Sequence, residues 1–306
     1  MDKLQRMSSW MSQLRPECTS VPLWDLAIPG SHDSMTYCLD TNGPLEPNAP
    51  KWLKKLEIIF RHFIKRWATT QDLTISEQLS AGVRYFDMRI ACKPKDGQRP
   101  LYFAHALYTT VTVEDTFKEV AEWLAKHPKE VIILSCKTFD GMNDDDHEKF
   151  IAQLKRIFSA KLCPKTDNPT LQDCWKSKYQ VIFSYADKKY ASNDLDLWTE
   201  IDYWWSTKDR TTAEKVLDYL DTRLKNKGRD VDKFFVAGLN LTENEKYVLE
   251  HPYSSMRKMT YGAYPQLLDW VSQQHCGSAK TCINIIAADF VDPEFVQLVI
   301  DLNIKK

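Results

Sequence analysis

The sequence predicts an α/β fold in which parallel strands form a barrel and helices lie outside it. Short apolar runs alternate with amphipathic helical patterns along most of the chain, and this βα rhythm is typical of a parallel sheet. The apolar runs also end in polar or charged residues, as strands do at the active-site mouth of a barrel. The length of 306 residues suits one such barrel. We expect a single domain over residues 1–306, with a core from about 10 to 303.

Seven apolar runs are predicted to be strands, and an eighth strand is expected to be hidden. The runs cover residues 24–28, 83–90, 101–106, 131–136, 180–185, 234–241 and 282–290. Helical signals separate them. Thr74 and Glu77 have capping-box spacing, residues 113–125 are amphipathic, and Asp292 followed by Pro293 suits a helix start.

The composition argues against several classes of function. A formal net charge of -1 gives no basic field for nucleic acid. The eight cysteines include no C-x-x-C pair, so neither a zinc site nor a redox motif is indicated. The first residues lack the apolar core of a signal peptide, and no run of about 18 apolar residues could span a bilayer. We expect a cytoplasmic protein, with peripheral membrane contact or a nuclear pool as further options.

Side chains that could perform chemistry lie at the polar ends of the predicted strands. In the run 83–90, Asp87 and Arg89 share one face and apolar residues take the other. The other polar ends are His32, His105, Lys137, Tyr185, Asn240 and Asp289. In a closed parallel barrel these ends converge on one mouth, which is where active sites lie.

Two of these residues, His32 and His105, could give and take protons near neutral pH. Taken singly, His32 could instead cap a turn after Gly30, and His105 could be a satisfied core histidine. Asp33 and Asp289 favour the catalytic interpretation, because a carboxylate bonded to one ring nitrogen fixes the tautomer and raises the basicity of the other nitrogen. Together they predict an acid/base pair.

Two cations are predicted at the same mouth. The Arg89 guanidinium could hold two phosphate oxygens, or it could form an ion pair with Asp87, and both can hold together. Lys137 could contact an anion, or its ammonium could reach solvent along an apolar stem.

Four stretches of the sequence resemble the X domain of phosphatidylinositol-specific phospholipase C. They read IPGSHDSMTY at 28–37, GVRYFDMR at 82–89, FAH at 103–105 and EVIILS at 130–135. Stretches at 203–205, 235–244 and 284–290 add to the likeness, which extends to small vertebrate proteins that carry this domain alone. The resemblance implies a distorted (β/α)8 TIM-type barrel and a role in lipid degradation and signalling.

The resemblance also implies a two-step chemistry. By the family pattern, His32 with Asp289 would deprotonate the inositol 2-hydroxyl, which attacks the neighbouring phosphorus. His105 with Asp33 would protonate the departing diacylglycerol oxygen, and Arg89 would bind the phosphoryl oxygens. The products would be diacylglycerol and inositol 1,2-cyclic phosphate, which some family members hydrolyse further.

Four residues are expected to contact the substrate: Asp87, Lys137, Tyr185 and Asn240. Tyr185 stands where the family usually has an arginine. That departure is the one hint in the sequence for an alternative function, a phosphoinositide-binding or scaffolding protein with little turnover.

The same positions predict chemistry that uses no metal and no cofactor. In the calcium-dependent branch of the family, the residue after the first histidine is asparagine, the second strand supplies two acidic ligands, and the fourth strand ends in glutamate. Here those places hold Asp33, Asp87 with Arg89, and Lys137. Calcium prefers six to eight oxygen ligands, and two of the expected ligands are cations instead.

A basic amphipathic helix is expected over residues 52–67, with Phe60, Phe63 and Trp67 on its apolar side. Such a helix could contact the surface of an anionic membrane. Alternatively, its apolar stripe packs on the barrel, as most such stripes do.

Overall fold

Eight parallel strands form one curled sheet in the computed structural model, which describes residues 6–46, 61–93, 99–166, 168–205 and 210–304. Numbered along the chain, the strands are β1 Ile28–Ser31, β2 Tyr85–Cys92, β3 Leu101–His105, β4 Leu107–Thr112, β5 Ile132–Asp140, β6 Val181–Tyr185, β7 Leu197–Trp198, β8 Asp202–Trp204, β9 Phe235–Gly238 and β10 Ile285–Ala288. The parallel order is β7-β6-β5-β2-β1-β10-β9-β8. Within the described ranges no pairing joins β7 to β8, so the expected closed barrel is open at this seam.

Helices follow most of the parallel strands and cover the outside of the sheet. They are α1 Pro16–Thr19, α2 Arg61–Ala68, α3 Ile75–Ala81, α4 Val113–Lys126, α5 Asp144–Phe158, α6 Leu171–Ser177, α7 Lys188–Ala191, α8 Ala213–Asn226, α9 Glu245–Glu250, α10 Met256–Ser272 and α11 Pro293–Asp301. In the part of the chain that the structure describes, no helix is long and apolar enough to cross a membrane.

The run 101–106 was expected to be a parallel strand, and this prediction is wrong. Residues Leu101–His105 form β3, which pairs antiparallel with both β2 and β4. Ala106 alone connects β3 to β4. An apolar run that ends in a polar residue fits either strand direction, so its pattern could not reveal this hairpin.

Two short strands take the place of the single hidden one. β7 has two residues and β8 has three, and they flank the open seam. Neither is long enough to show the two-residue alternation on which strand prediction depends. The first predicted strand also begins late, because Leu23–Asp25 form a 3-10 helix and β1 starts at Ile28.

The predicted helix ends are confirmed by local hydrogen bonds. The Thr74 side chain accepts a bond from the Glu77 amide, and the Glu77 carboxylate accepts one from the Thr74 amide. Gly82 ends α3 with φ at 105°, a left-handed conformation that glycine adopts without strain. The predicted amphipathic helix is α4, and the Asp292 side chain caps α11.

The predicted membrane-contact residues divide into buried and undescribed positions. Trp67 is 3% exposed and packs edge-on against Tyr247. Phe63 is half-buried against the core, and Phe60 lies outside the described residues. Trp67 therefore cannot contact a membrane in this structure, because the end of α2 packs on the barrel.

Candidate active site

His32 lies directly after β1 and is held by the loop that precedes α3. The Gln71 side-chain amide donates to the carbonyls of His32 and Ala288, both at 2.9 Å. The next residue, Asp33, has φ at 42°, which turns the chain sharply and directs both side chains toward the barrel mouth. His32 Nδ1 lies 2.7 Å from Oδ1 of Asp289, which follows β10. His32 is thus bonded to the carboxylate that the family resemblance implies for it.

His105 ends β3 and reaches the mouth from the hairpin. Its Nδ1 donates to the carbonyl of Ala68, the last residue of α2, at 2.7 Å. Its Nε2 faces Asp33 Oδ2 at 3.4 Å. About a quarter of the side chain is exposed (24%), so His105 is not a core histidine.

Asp33 joins the two histidines and the arginine. Its Oδ2 lies 3.2 Å from His32 Nε2, and its Oδ1 lies 2.6 Å from Arg89 Nε. The alternative role of Arg89, an ion pair with Asp87, is not formed: Asp87 instead faces Lys137, with Oδ1 and Nζ 3.5 Å apart. Arg89 therefore takes its partner from the turn directly after β1, although Asp87 lies on the same face of its own strand.

The buried charges shift one another's proton affinities. Burial alone would lower the pKa of His32, but the carboxylates of Asp33 and Asp289 outweigh it and raise that pKa to about 9. Burial opposes the charge of Asp33, yet Arg89 and His105 hold the pKa of its carboxyl well below the ordinary value. Burial raises the pKa of Asp289 and lowers that of Lys137. The mouth therefore holds alternating charges, with His32 as an imidazolium at neutral pH.

Tyr203, on β8, also lines the mouth, beside Lys137 and Asn240, and was not predicted as a site residue. The Lys137 ammonium lies 3.5 Å from the centroid of its ring. The Tyr203 hydroxyl donates to Asn240 Oδ1 at 3.0 Å. Asn240 is buried, and its Nδ2 has no hydrogen-bond partner among the described residues. Asn240 and Lys137 therefore reach the mouth as predicted, and the three-residue length of β8 concealed Tyr203.

Tyr185 does not reach the mouth, contrary to the prediction. It is fully buried, its hydroxyl lies 2.5 Å from Nδ1 of His147 on α5, and its ring stacks on Phe139 at 4.3 Å. Along β6, Tyr185 shares the outward face with Phe183. The residue that suggested lost turnover therefore belongs to the helix layer and carries no information about the site.

The site also contains a group of potential metal ligands, which we tested against its neighbours. One donor atom each from His32, Asp33 and Asp87 lie within 4.8 Å of one another. However, Arg89 already contacts Asp33, and Lys137 contacts Asp87. A divalent cation would be placed beside two positive charges, Arg89 and Lys137, and the three donor groups fall short of the six to eight oxygens that calcium prefers. The residues present fit an anion better than a cation.

Comparison with known proteins places this chain in a family. The family model described as PI-PLC X 1 matches residues 63–230, more than half of the chain. The chain belongs to the PI-PLC X domain family. It is 46% identical over 301 residues to PI-PLC X domain-containing protein 1 of Danio rerio, covering 96% of each chain. It is 45% identical to the Homo sapiens protein of the same name, covering 97% of this chain and 92% of that one.

Solved structures with this fold include two bacterial PI-PLC enzymes. The phosphatidylinositol-specific phospholipase C of Listeria monocytogenes superposes with a TM-score of 0.70 at 18% identity, covering 97% of this chain and 98% of that one. The Staphylococcus aureus enzyme gives 0.67 at 18% identity, covering 99% of each. The predicted α/β barrel is therefore confirmed, with helices outside a curled parallel sheet and an open seam.

Proposed function

We propose that this PI-PLC X domain protein cleaves phosphatidylinositol by acid/base catalysis without a metal, releasing diacylglycerol and inositol 1,2-cyclic phosphate. One observation carries the proposal: the Nε2 atoms of both histidines meet the same oxygen, Asp33 Oδ2, at 3.2 and 3.4 Å. They are therefore at most 6.6 Å apart, the sum of these two distances. A phosphate between them would have its attacking and leaving oxygens within reach of a different histidine.

The reaction follows from these positions. Neutral His32 Nε2 takes the proton of the inositol 2-hydroxyl, and that oxygen bonds to phosphorus. The bond from phosphorus to the diacylglycerol oxygen breaks, and His105 Nε2 donates a proton to the departing oxygen. Asp289 holds the imidazolium of His32 through Nδ1. Asp33 has a low pKa, so it stays ionised beside both rings.

Arg89 and Lys137 take the electrostatic role that a metal ion has in other phosphodiesterases. With Nε on Asp33, the terminal guanidinium nitrogens of Arg89 are left for non-bridging phosphate oxygens. Lys137 adds a second positive charge across the mouth. We therefore expect turnover to persist in EDTA.

The test is turnover of phosphatidylinositol vesicles in EDTA, with cyclic inositol phosphate detected by 31P NMR. His32→Ala and His105→Ala are each expected to lower the rate about 10²–10⁴-fold. His127→Ala, a histidine stacked on Trp123 outside the barrel, is the matched control and keeps the rate. Binding of vesicles without product would favour the scaffolding alternative. A rate lost in EDTA and restored by calcium would refute the metal-free mechanism.

A pH profile of the His105→Ala enzyme tests the role of His32, because no acid at position 105 is then left to lose its proton. If His32 is the base, its neutral form must accumulate first, so the residual kcat/KM rises with pH until about pH 9. A residual rate that falls with pH up to 9 would mean that His32 acts in its protonated form instead.

We also propose that the mouth meets the membrane through the end of α9 and the segment that joins it to α10. Tyr253 is 89% exposed and Leu249 is 59% exposed. Two basic side chains donate to backbone carbonyls of this segment. Arg66 donates to Pro252 at 2.6 Å, and Lys258 donates to Tyr253 at 3.4 Å. Exposed apolar tips with nearby cations suit an anionic bilayer surface.

Vesicle sedimentation tests this surface. Tyr253→Ala with Leu249→Ala is expected to weaken binding to phosphatidylinositol vesicles without lowering the melting temperature. Ile304→Ala is the control, because Ile304 is 56% exposed and lies beside Asn303, at the amino end of β1. Equal binding by all three proteins would refute this orientation.

A further inference from the structure

Ala106, the one residue between β3 and β4, determines how His105 is presented. Its φ of 60° is left-handed, a conformation that costs a residue with a side chain about 1 kcal/mol or more. Ala106 is also 6% exposed, so its peptide groups need partners within the protein. The conformation persists only where the surroundings hold it.

Glu46 supplies both of the bonds that hold Ala106. Its carboxylate Oε1 accepts from the Ala106 amide at 2.8 Å, and its own amide donates to the Ala106 carbonyl at 2.9 Å. The preceding residue, Leu45, forms an antiparallel bridge with Leu107. The chain at 45–46 therefore lies along the hairpin as a clamp on the turn.

The ring of His105 is bonded through Nδ1 to the Ala68 carbonyl, and its Nε2 faces Asp33. That bond fixes the tautomer but permits the ring to move with its backbone. The distance from Nε2 to Asp33 Oδ2 therefore depends on where the hairpin turn is held. A change of about 1 Å in such a position can reduce a rate about 10²-fold.

We propose that Glu46 is a positioning residue that sets the proton donor His105 by clamping the turn at Ala106. Its consequence for turnover rests on the proposed function, but its consequence for His105 does not. Glu46 also interacts electrostatically with His105 and Arg89. Burial raises the pKa of its carboxyl, whereas the bond from the Ala106 amide and the charges of His105 and Arg89 oppose that rise.

A comparison of leaving groups tests the proposal. The alkoxide of diacylglycerol needs a proton to depart, whereas p-nitrophenolate leaves without one. Glu46→Ala is expected to lower kcat about tenfold or more on phosphatidylinositol, and less than about threefold on the p-nitrophenyl ester of inositol phosphate, with KM little changed.

Two further variants separate positioning from loss of structure. Glu46→Gln keeps an acceptor oxygen for the Ala106 amide and is expected to behave like the wild type on both substrates. Ala106→Gly added to Glu46→Ala removes the cost of the left-handed φ and recovers part of the rate. Glu77→Ala is the matched control, because Glu77 accepts a backbone bond of the same 2.8 Å length at Thr74, away from the mouth.

Three results would overturn the proposal: equal losses on both substrates, no loss on either, or a Glu46→Gln enzyme as impaired as Glu46→Ala. If the wild type turns over neither substrate, the proposed function fails. The clamp is then judged by the 15N NMR shifts of the His105 ring. These are expected to change in Glu46→Ala and to stay fixed in Glu77→Ala, and unchanged shifts in both would refute it.

Discussion

Raising the pH above 6.5 is expected to destabilise the folded protein through His32. The ordinary histidine pKa of 6.5 is raised to about 9 in the fold. The folded state therefore keeps a proton that the unfolded state releases, and each tenfold difference in affinity is worth about 1.4 kcal/mol. The side chain is 10% exposed, so solvent screens it little. The stabilisation of about 3 kcal/mol is fully present below pH 6.5 and is lost as pH rises to about 9.

Urea unfolding at half-unit steps from pH 6 to pH 10 measures this loss. Asp289→Asn removes a charge 2.7 Å from Nδ1, which is worth about 1.5 kcal/mol even at the dielectric constant of water. The pH at which the stabilisation is fully lost is then expected to fall by about one unit or more. His62→Gln, at an exposed site on α2, keeps the wild-type slope. A wild-type free energy of unfolding that stays flat between pH 6.5 and 9 would refute the assignment of charge to His32.

Three substitutions test the assigned positions of Arg89, Tyr185 and Trp67. Arg89→Lys is expected to lower kcat about 10²-fold or more with little change in melting temperature, since a lysine ammonium lacks the planar fork with which a guanidinium can bond Asp33 through Nε and two phosphate oxygens through its terminal nitrogens; near-wild-type turnover would contradict this. Tyr185→Phe is expected to keep turnover and to lower the free energy of unfolding in urea by about 1 kcal/mol, because the lost hydroxyl bonds His147 behind the sheet. A large loss of rate would instead mean that Tyr185 contacts the substrate. Trp67→Ala is expected to cost about 3–5 kcal/mol of unfolding free energy, and unchanged stability with weaker vesicle binding would restore Trp67 as a membrane contact.

Most of the mouth could be predicted because its residues lie on strands or directly after them. Alternation along 83–90 oriented Asp87 and Arg89 correctly, and Asp289 directly follows the apolar run that forms β10. The pairing of charges could not be predicted in the same way. Whether Arg89 meets Asp33 or Asp87 depends on how far its side chain reaches across strands, which no one-dimensional pattern contains.

The errors arose where the local pattern had two physical solutions. Tyr185 ends an apolar run, but alternation from Phe183 assigns it to the outer face. The antiparallel direction of β3 and the left-handed turn at Ala106 depend on tertiary contacts. Tyr203 and Glu46 lie in segments too short or irregular to show periodicity, so their roles are visible only in three dimensions.

The hairpin that carries His105 places the two histidines of the mouth on different structural units. His32 is anchored by three neighbouring strands of the sheet, β1, β2 and β10, so a change around it disturbs the whole barrel. His105 instead belongs to a β3–β4 unit attached at one edge of β2. A change in that unit can therefore shift His105 relative to Asp33 while the three strands that anchor His32 stay in place.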